Sequence, residues 1–362
     1  MEYANLNIIN LDEKYELNNN LVKAEIESYR NNKEIKKLIV DENFRLIENH
    51  ESFVAGKKLG LKFMKVQRKK FYIDKNNVFP SALLIELTNR CNYHCKMCPR
   101  NQLTRSIVDM DIEIFKKIID EVSNHKIEGL WLYNIGESLL HPNFFEMLDY
   151  VSKFKSIRPL WLSTNGSTLS KKTVDKLVIS DINFINVSLN ALDKETHEKI
   201  TKVPNYEQVI KNLNYLIDQK NKINKKKPFL RVQIIDLPEM YGRIDEFINE
   251  WGPKVDIISI NELEKFIGQK EIPTNKEINE TKSKNLEPCK RIDRGFLYIF
   301  SNNKVGICAT DFNCVNCVGD ISEKSISEVW TGTKYKKLFD NIKRQNYDEI
   351  PFCYACKDKH LA

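Results

Sequence analysis

Apolar residues in the middle of the chain follow two alternating spacings. Short runs of strand type lie at 83–88, 129–133, 159–163, 184–188, 230–235 and 256–260. Between them, apolar positions return every three or four residues, as on a helix with one buried face. Over 112–122 these are Ile112, Phe115, Ile118, Ile119 and Val122. Over 143–154, Phe144, Leu148 and Val151 share a face and Asn143 stands as the cap. Further helices are expected at 171–179, 206–219 and 241–251. Strand-then-helix units with short strands predict a parallel sheet. Six such strands are fewer than the eight that close a full barrel. The expected fold is α/β, a partial (βα)6 TIM-like barrel over 81–265.

The flanks read differently. Residues 1–80 are expected to form a mostly helical N-terminal extension, with 25–49 helical, a basic stretch after it, and an extended link over 71–80. Residues 266–288 are polar, carry Pro273 and Pro288, and read as a linker. Residues 289–362 form a small cysteine-rich domain with one helix start at Ser325.

Composition narrows the class. With 41% hydrophobic and 30% charged residues, a wholly disordered chain is excluded. No apolar run of about 18 residues is present, so no transmembrane helix is expected. The first residues lack the basic start and apolar stretch of a signal peptide, and a cytoplasmic location is expected. The net charge of +7 is mild but locally dense. Lys57, Lys58, Lys62, Lys65, Arg68, Lys69 and Lys70 form one basic group, and Lys220, Lys222, Lys225, Lys226 and Lys227 another. These are either solvated surface or a site for an anionic substrate or partner.

The nine cysteines carry the chemistry. An odd number without a secretory signal argues against a disulfide framework. Cys91, Cys95 and Cys98 form a C-x3-C-x2-C triplet, and the other six, Cys289, Cys308, Cys314, Cys317, Cys353 and Cys356, fall near the end of the chain. Gathered thiolates read as metal or cluster ligands. Three from one loop suit a cubane iron–sulfur cluster with one iron left open to a small molecule. The alternative is a zinc knuckle with a remote fourth ligand. The triplet lies between a strand and a helix, where active-site loops sit in parallel α/β folds.

The segment Cys91-Asn92-Tyr93-His94-Cys95-Lys96-Met97-Cys98 resembles the cluster signature of the radical S-adenosylmethionine (radical SAM) superfamily. Further motifs follow in that family's order. Ile135-Gly136-Glu137 resembles its G-G-E motif, with Ile135 in place of the first glycine. Ser163-Thr164-Asn165-Gly166 resembles its S-T-N-G segment. Val187-Ser188-Leu189-Asn190 resembles the segment near the ribose, with Asn190 where Asp is usual. The resemblance implies a [4Fe–4S] cluster on Cys91, Cys95 and Cys98. It places SAM among Tyr93, Met97, Gly136, Glu137, Thr164, Asn165, Ser188 and Asn190. No G-x-I-x-G adenine motif stands near 230–236.

The tail resembles the SPASM/twitch extensions of the same superfamily. Cys289-x18-Cys308, then 44 residues, then Cys353-x2-Cys356 is close to the spacing of a twitch enzyme that oxidises an aminocyclitol alcohol. This implies one auxiliary [4Fe–4S] cluster on Cys289, Cys308, Cys353 and Cys356. Cys314 and Cys317 are then spare, although a second partial cluster, or a zinc site made by Cys314, Cys317, Cys353 and Cys356, stays open.

The implied activity is a radical SAM oxidoreductase, fed by a flavodoxin- or ferredoxin-type donor. Its 5′-deoxyadenosyl radical would abstract hydrogen from a small polar substrate such as a sugar, aminocyclitol or nucleotide-linked sugar. Oxidation, with the auxiliary cluster accepting an electron, leads. Asp311 is the candidate base, or else a turn residue. Epimerisation, with Cys314 or Cys317 donating hydrogen, is the first alternative. Maturation of a ribosomally made peptide, docked on residues 1–80, is the second. His94 and His141 contact substrate or SAM, or only structure their loops. From another class, a non-catalytic iron–sulfur or zinc protein could bind nucleic acid through the lysine groups, but the triplet with Gly136-Glu137 argues against it.

Overall fold

The computed structural model describes residues 1–10, 18–32, 35–41, 44–68, 78–223, 225–261, 263, 289–354 and 356. In chain order the elements begin with β1 (Glu2–Asn5), α1 (Asn19–Asn32), β2 (Leu38–Val40), β3 (Leu46–Glu48), α2 (His50–Lys58) and β4 (Phe63–Arg68). Next come β5 (Ala82–Ile85), α3 (Ile112–Ser123), β6 (Gly129–Trp131), α4 (Phe144–Ser152), β7 (Leu160–Thr164), α5 (Lys171–Ile179), β8 (Phe184–Ser188), α6 (Lys194–Thr201), α7 (Tyr206–Lys222), β9 (Phe229–Ile235), α8 (Ile244–Trp251) and β10 (Ile257–Asn261). The tail adds β11 (Phe296–Ile299), β12 (Lys304–Gly306), β13 (Gly319–Asp320), α9 (Ile326–Trp330), α10 (Thr333–Lys343) and α11 (Pro351–Tyr354). The described residues fall into two compact units. One lies within Met1–Lys70, Thr164–Ile200 and Pro204–Leu263, the other within Phe71–Ser163, Thr201–Val203 and Glu264–Ala362.

All six expected strands of the middle region form, as do its helices. Parallel strands covered on both faces need continuous apolar runs. Accordingly, every residue of β5 is buried. The helices start where capping chemistry allows. The Asp111 carboxylate accepts from the N–H groups of Glu113 (2.8 Å) and Ile114 (3.2 Å) at the start of α3, and Ser325 and Glu328 form a capping box on α9.

In the unit that holds the N-terminus, strands run β8-β9-β10-β1-β4-β2-β3. β8, β9 and β10 are parallel, and β1 pairs antiparallel with both β10 and β4. The N-terminal extension carries its helices, α1 and α2, but helix does not span 25–49 as expected. It stops at Asn32, and β2 and β3 follow. Leu38 and Val40 are buried while Ile39 is not, a period of two that fits a strand and not a helix. The basic stretch is likewise in part a strand. In β4, Met64 and Val66 are buried and Lys65 between them is exposed. Phe44, fully buried, packs against Phe184 at 6.0 Å and Phe229 at 5.7 Å between ring centres, so the extension shares the core of β8 and β9. Among the described residues no helix is long and apolar enough to cross a membrane. Lys69, Lys70, most of the 71–80 link and the 266–288 linker lie outside the described residues.

In the other unit the order is β13-β12-β11-β5-β6-β7. β11, β5, β6 and β7 are parallel, while β12 and β13 turn back antiparallel. β11 was not expected. It lies in register beside β5, with Phe296 opposite Ala82 and Ile299 opposite Ile85. The cysteine-rich tail is thus built onto the strand that leads into the Cys91–Cys98 loop.

Candidate active site

The ligand loop leaves the carboxyl end of β5. Its three thiols are half-buried. Burial pushes the Cys91, Cys95 and Cys98 thiols up, Cys95 to about 12, and Cys95 also feels Cys98 and Cys91. The three sulfurs therefore see one another across a poorly solvated space. As thiolates they would repel, which an iron core relieves. The loop is braced from within. The Tyr93 N–H lies 3.5 Å from Cys91 Sγ, and the Cys98 N–H donates to the Cys95 carbonyl (3.0 Å). Arg100 Nη2 donates to the Tyr93 carbonyl (3.0 Å) and lies 3.1 Å from His94 Nδ1. Tyr93 is buried, Met97 half-buried and His94 exposed. His141 is buried with Nε2 2.9 Å from the Met110 carbonyl, a loop contact.

The Gly136-Glu137 turn lies directly on this loop. The Glu137 N–H donates to the Arg90 carbonyl (2.8 Å), and the Glu137 carboxylate is buried near enough to Cys91 to raise its thiol. A Cβ at Gly136 would collide with the Thr88 carbonyl oxygen and sit 2.8 Å from that of Arg90. Only glycine permits this approach. Gly136→Ala should cost about 1–3 kcal/mol by overpacking and weaken SAM binding. Thermal melts and equilibrium SAM binding under anoxia check this. A variant matching the parent in both would show that the approach is not required.

The other residues assigned to SAM belong to the unit that holds the N-terminus. Thr164 Oγ1 accepts from the Gly166 N–H (3.1 Å) and Asn165 Oδ1 from the Ser167 N–H (2.9 Å), which fixes the turn after β7. Asn190 has φ 57°, a left-handed conformation that Asn tolerates better than most residues. Its Oδ1 accepts from the Ile235 N–H (3.0 Å). Ser188 is a register neighbour of Gln233, and Gln233 of Ser259; Asn186 pairs with Arg231 in the same register. Period two puts these polar side chains on one face of otherwise apolar strands. Arg231 donates to Asn186 Oδ1 (2.7 Å) and pairs with Glu2 (2.9 Å).

In the tail, Cys289, Cys308, Cys353 and Cys356 line one cavity with Ile307, Tyr347 and Phe352. Burial pushes the Cys353 thiol up, and Cys308, Cys289, Asp311 and Cys356 add to the shift. Among the described residues no three His, Cys, Asp or Glu side chains converge closely enough to hold one metal ion. The four thiols are spread around a cavity instead. A [4Fe–4S] cluster with a protein thiolate on every iron takes four such cysteines. Cys314 and Cys317 are not in this lining. Cys353 and Cys356 thus keep company with Cys289 and Cys308, not with the spare pair.

Asp311 lies between the two groups. It lines the cavity, yet its carboxylate accepts from the Val315 and Asn316 N–H groups, each at 2.8 Å. Burial raises its carboxyl above the usual range. The loop it holds carries Asn316, whose Nδ2 lies 3.2 Å from Cys353 Sγ. Cys317 is held down to about 6, first by a hydrogen bond from the Cys314 thiol, which that bond and burial push up. The Cys317 thiolate therefore contributes stability above the ordinary thiol range, and the contribution fades as pH falls through about 6. Iodoacetamide at pH 7 should label Cys317 and spare Cys314 in peptide maps of the iron-loaded protein. A Cys317 labelling rate that rises only near pH ~8.5, as for a free thiol, would contradict the pairing.

Sequence reading missed Glu86 and Arg105. Glu86 is fully buried at the end of β5 and binds Arg105 through both oxygens, at 2.7 and 2.8 Å. The one local signal was an acid inside an apolar run.

The comparisons with known proteins agree with this arrangement. The family model of the radical SAM superfamily matches residues 85–225, and that of the SPASM iron–sulfur cluster-binding domain matches 289–357. The chain carries a radical SAM domain and, C-terminal to it, a SPASM domain. It is 23% identical over 318 residues to the tungsten-containing aldehyde ferredoxin oxidoreductase cofactor-modifying protein of Pyrococcus furiosus, covering 76% of this chain and 86% of that one. It is 32% identical over 185 residues to the probable GTP 3′,8-cyclase of Methanocaldococcus jannaschii, covering 49% of this chain and 58% of the relative. In structure it resembles BtrN in complex with AdoMet and 2-DOIA, with a TM-score of 0.53, 17% identity, and coverage of 79% of this chain and 94% of BtrN. That likeness is one of fold. SAM and auxiliary [4Fe–4S] clusters are the cofactors these domains imply, and both cysteine groups fit them.

Proposed function

We propose that this enzyme removes two electrons from a carbon centre of a small polar substrate, such as a sugar, aminocyclitol or nucleotide-linked sugar. The observation that carries it is the four-cysteine cavity of the tail. With a thiolate for every iron, the auxiliary site offers substrate no open coordination position, which suits electron acceptance better than substrate ligation. When bound, the cofactors supply a 5′-deoxyadenosyl radical from SAM and an acceptor for the electron the substrate gives up. The protein's part is to place and protect. Cys91, Cys95 and Cys98 would leave one iron free, and Gly136 and Glu137 would present backbone and carboxylate to the methionine amino group. Thr164, Asn165, Ser188 and Asn190 are the residues that the family resemblance assigns to the nucleoside. Asn186, Gln233 and Ser259 give otherwise apolar strands one polar face, hydrogen-bonded within itself and to Arg231 and Asn261, which suits a polar substrate better than an apolar one. Asp311, with its raised carboxyl, lines the cavity of the auxiliary thiols and is the candidate base.

Epimerisation is the second reading, favoured by the hydrogen-bonded Cys314–Cys317 pair. Anoxic turnover in deuterated water, with candidate aminocyclitols and sugars, separates the two. Oxidation predicts a carbonyl product without solvent deuterium on the reacting carbon. A product of unchanged mass apart from one deuterium there would replace oxidation with epimerisation.

A further inference from the structure

We propose that Glu86 and Arg105 are a positioning pair that sets the electrostatics of the auxiliary cluster through the loop bearing Asn316; this rests on the tail cavity holding that cluster. The pair is enclosed, with side chains 0% and 4% exposed. Glu86 Oε1 also accepts from Ser301 Oγ (2.8 Å) and the Ser301 N–H (3.2 Å), and Oε2 from Asn134 Nδ2 (3.2 Å) and, at a longer 3.4 Å, the Ile135 N–H. Arg105 Nε donates to the Phe312 carbonyl (2.6 Å), and its guanidinium lies 4.6 Å from the Phe300 ring centre.

Stability alone does not account for such a pair. Well-packed apolar side chains of similar volume are often as stable as a buried ion pair, and β5, which Glu86 follows, is wholly apolar. What the pair does is join loops. Asn134 and Ile135 precede Gly136-Glu137. Ser301 precedes β12, which leads to Cys308. Phe312 follows Asp311, whose carboxylate holds the N–H of Asn316, and Asn316 reaches Cys353 Sγ. A hydrogen bond to a ligand sulfur stabilises the electron-rich cluster and raises its potential. Arg105 spans Glu86 and Phe312 with a planar fork that lysine cannot reproduce.

The test is potentiometric titration of the auxiliary cluster, followed by electron paramagnetic resonance, in anoxically loaded protein. Asn316→Ala should shift its midpoint to a more negative value. Arg105→Lys should shift it in the same direction, and the Asn316→Ala/Arg105→Lys protein should shift no further than Asn316→Ala alone. If Arg105→Lys fails to fold, Glu86→Leu/Arg105→Met restores packing without the charges and should show the same shift. Either pair variant with both clusters loaded and an unmoved midpoint overturns the proposal alone. Wild-type protein that holds no second cluster overturns the functional reading and the proposal together.

Discussion

Cys95→Ala is expected to bring 5′-deoxyadenosine formation to background. Cys95 stands in the middle of the ligand loop, and its thiol feels both Cys98 and Cys91. Two remaining thiolates cannot hold a cubane whose fourth iron is already free of protein, so about four irons per chain should be lost. The fold should survive, because the thiol is only half-buried and removing a sulfur there leaves the apolar core intact. Iron analysis, far-ultraviolet circular dichroism and chromatography of the nucleoside product, all on anoxic protein with SAM and dithionite, check this together. SAM cleavage at the parental rate in the variant would remove the basis for treating this loop as the radical source.

Cys353→Ala is expected to separate the two halves of the proposed oxidation. It removes one of four thiolates from the tail cavity and leaves the Asn316 amide without its sulfur acceptor. The auxiliary cluster should be lost, again about four irons per chain, while the Cys91–Cys98 loop keeps its own. SAM cleavage should then persist within a few-fold of the parent, but two-electron oxidation of substrate should fall to background. Oxidised product formed at the parental rate without the second cluster would show that electrons leave by another route.

The parts legible in sequence are those with a local cause. The middle strands declare themselves because burial on both faces demands unbroken apolar runs, and the helices between them because one buried face demands a repeat of three or four. The cysteine spacings are also local, and the four tail cysteines that the family resemblance singled out line one cavity. β2 and β3 were hidden because they are three residues each, too short for a period of two to stand out from a helical background. β11 was hidden because its reason is a partner over two hundred residues earlier, the β5 strand. Glu86 and Arg105 were hidden for the same reason. Their meaning lies in Ser301 and Phe312, far along the chain.

The four tail thiols come from three separate stretches, with 18 and 44 residues between them. Inorganic core assembled there would act as a cross-link, closing two long chain excursions at once. Such a closure lowers the conformational freedom of the unfolded tail, much as a disulfide does, but its occupancy follows mass action in iron and sulfide. The resistance of residues 289–356 to proteolysis should therefore rise with the cell's iron supply, which makes durability of this segment a property of nutrition as much as of amino-acid sequence.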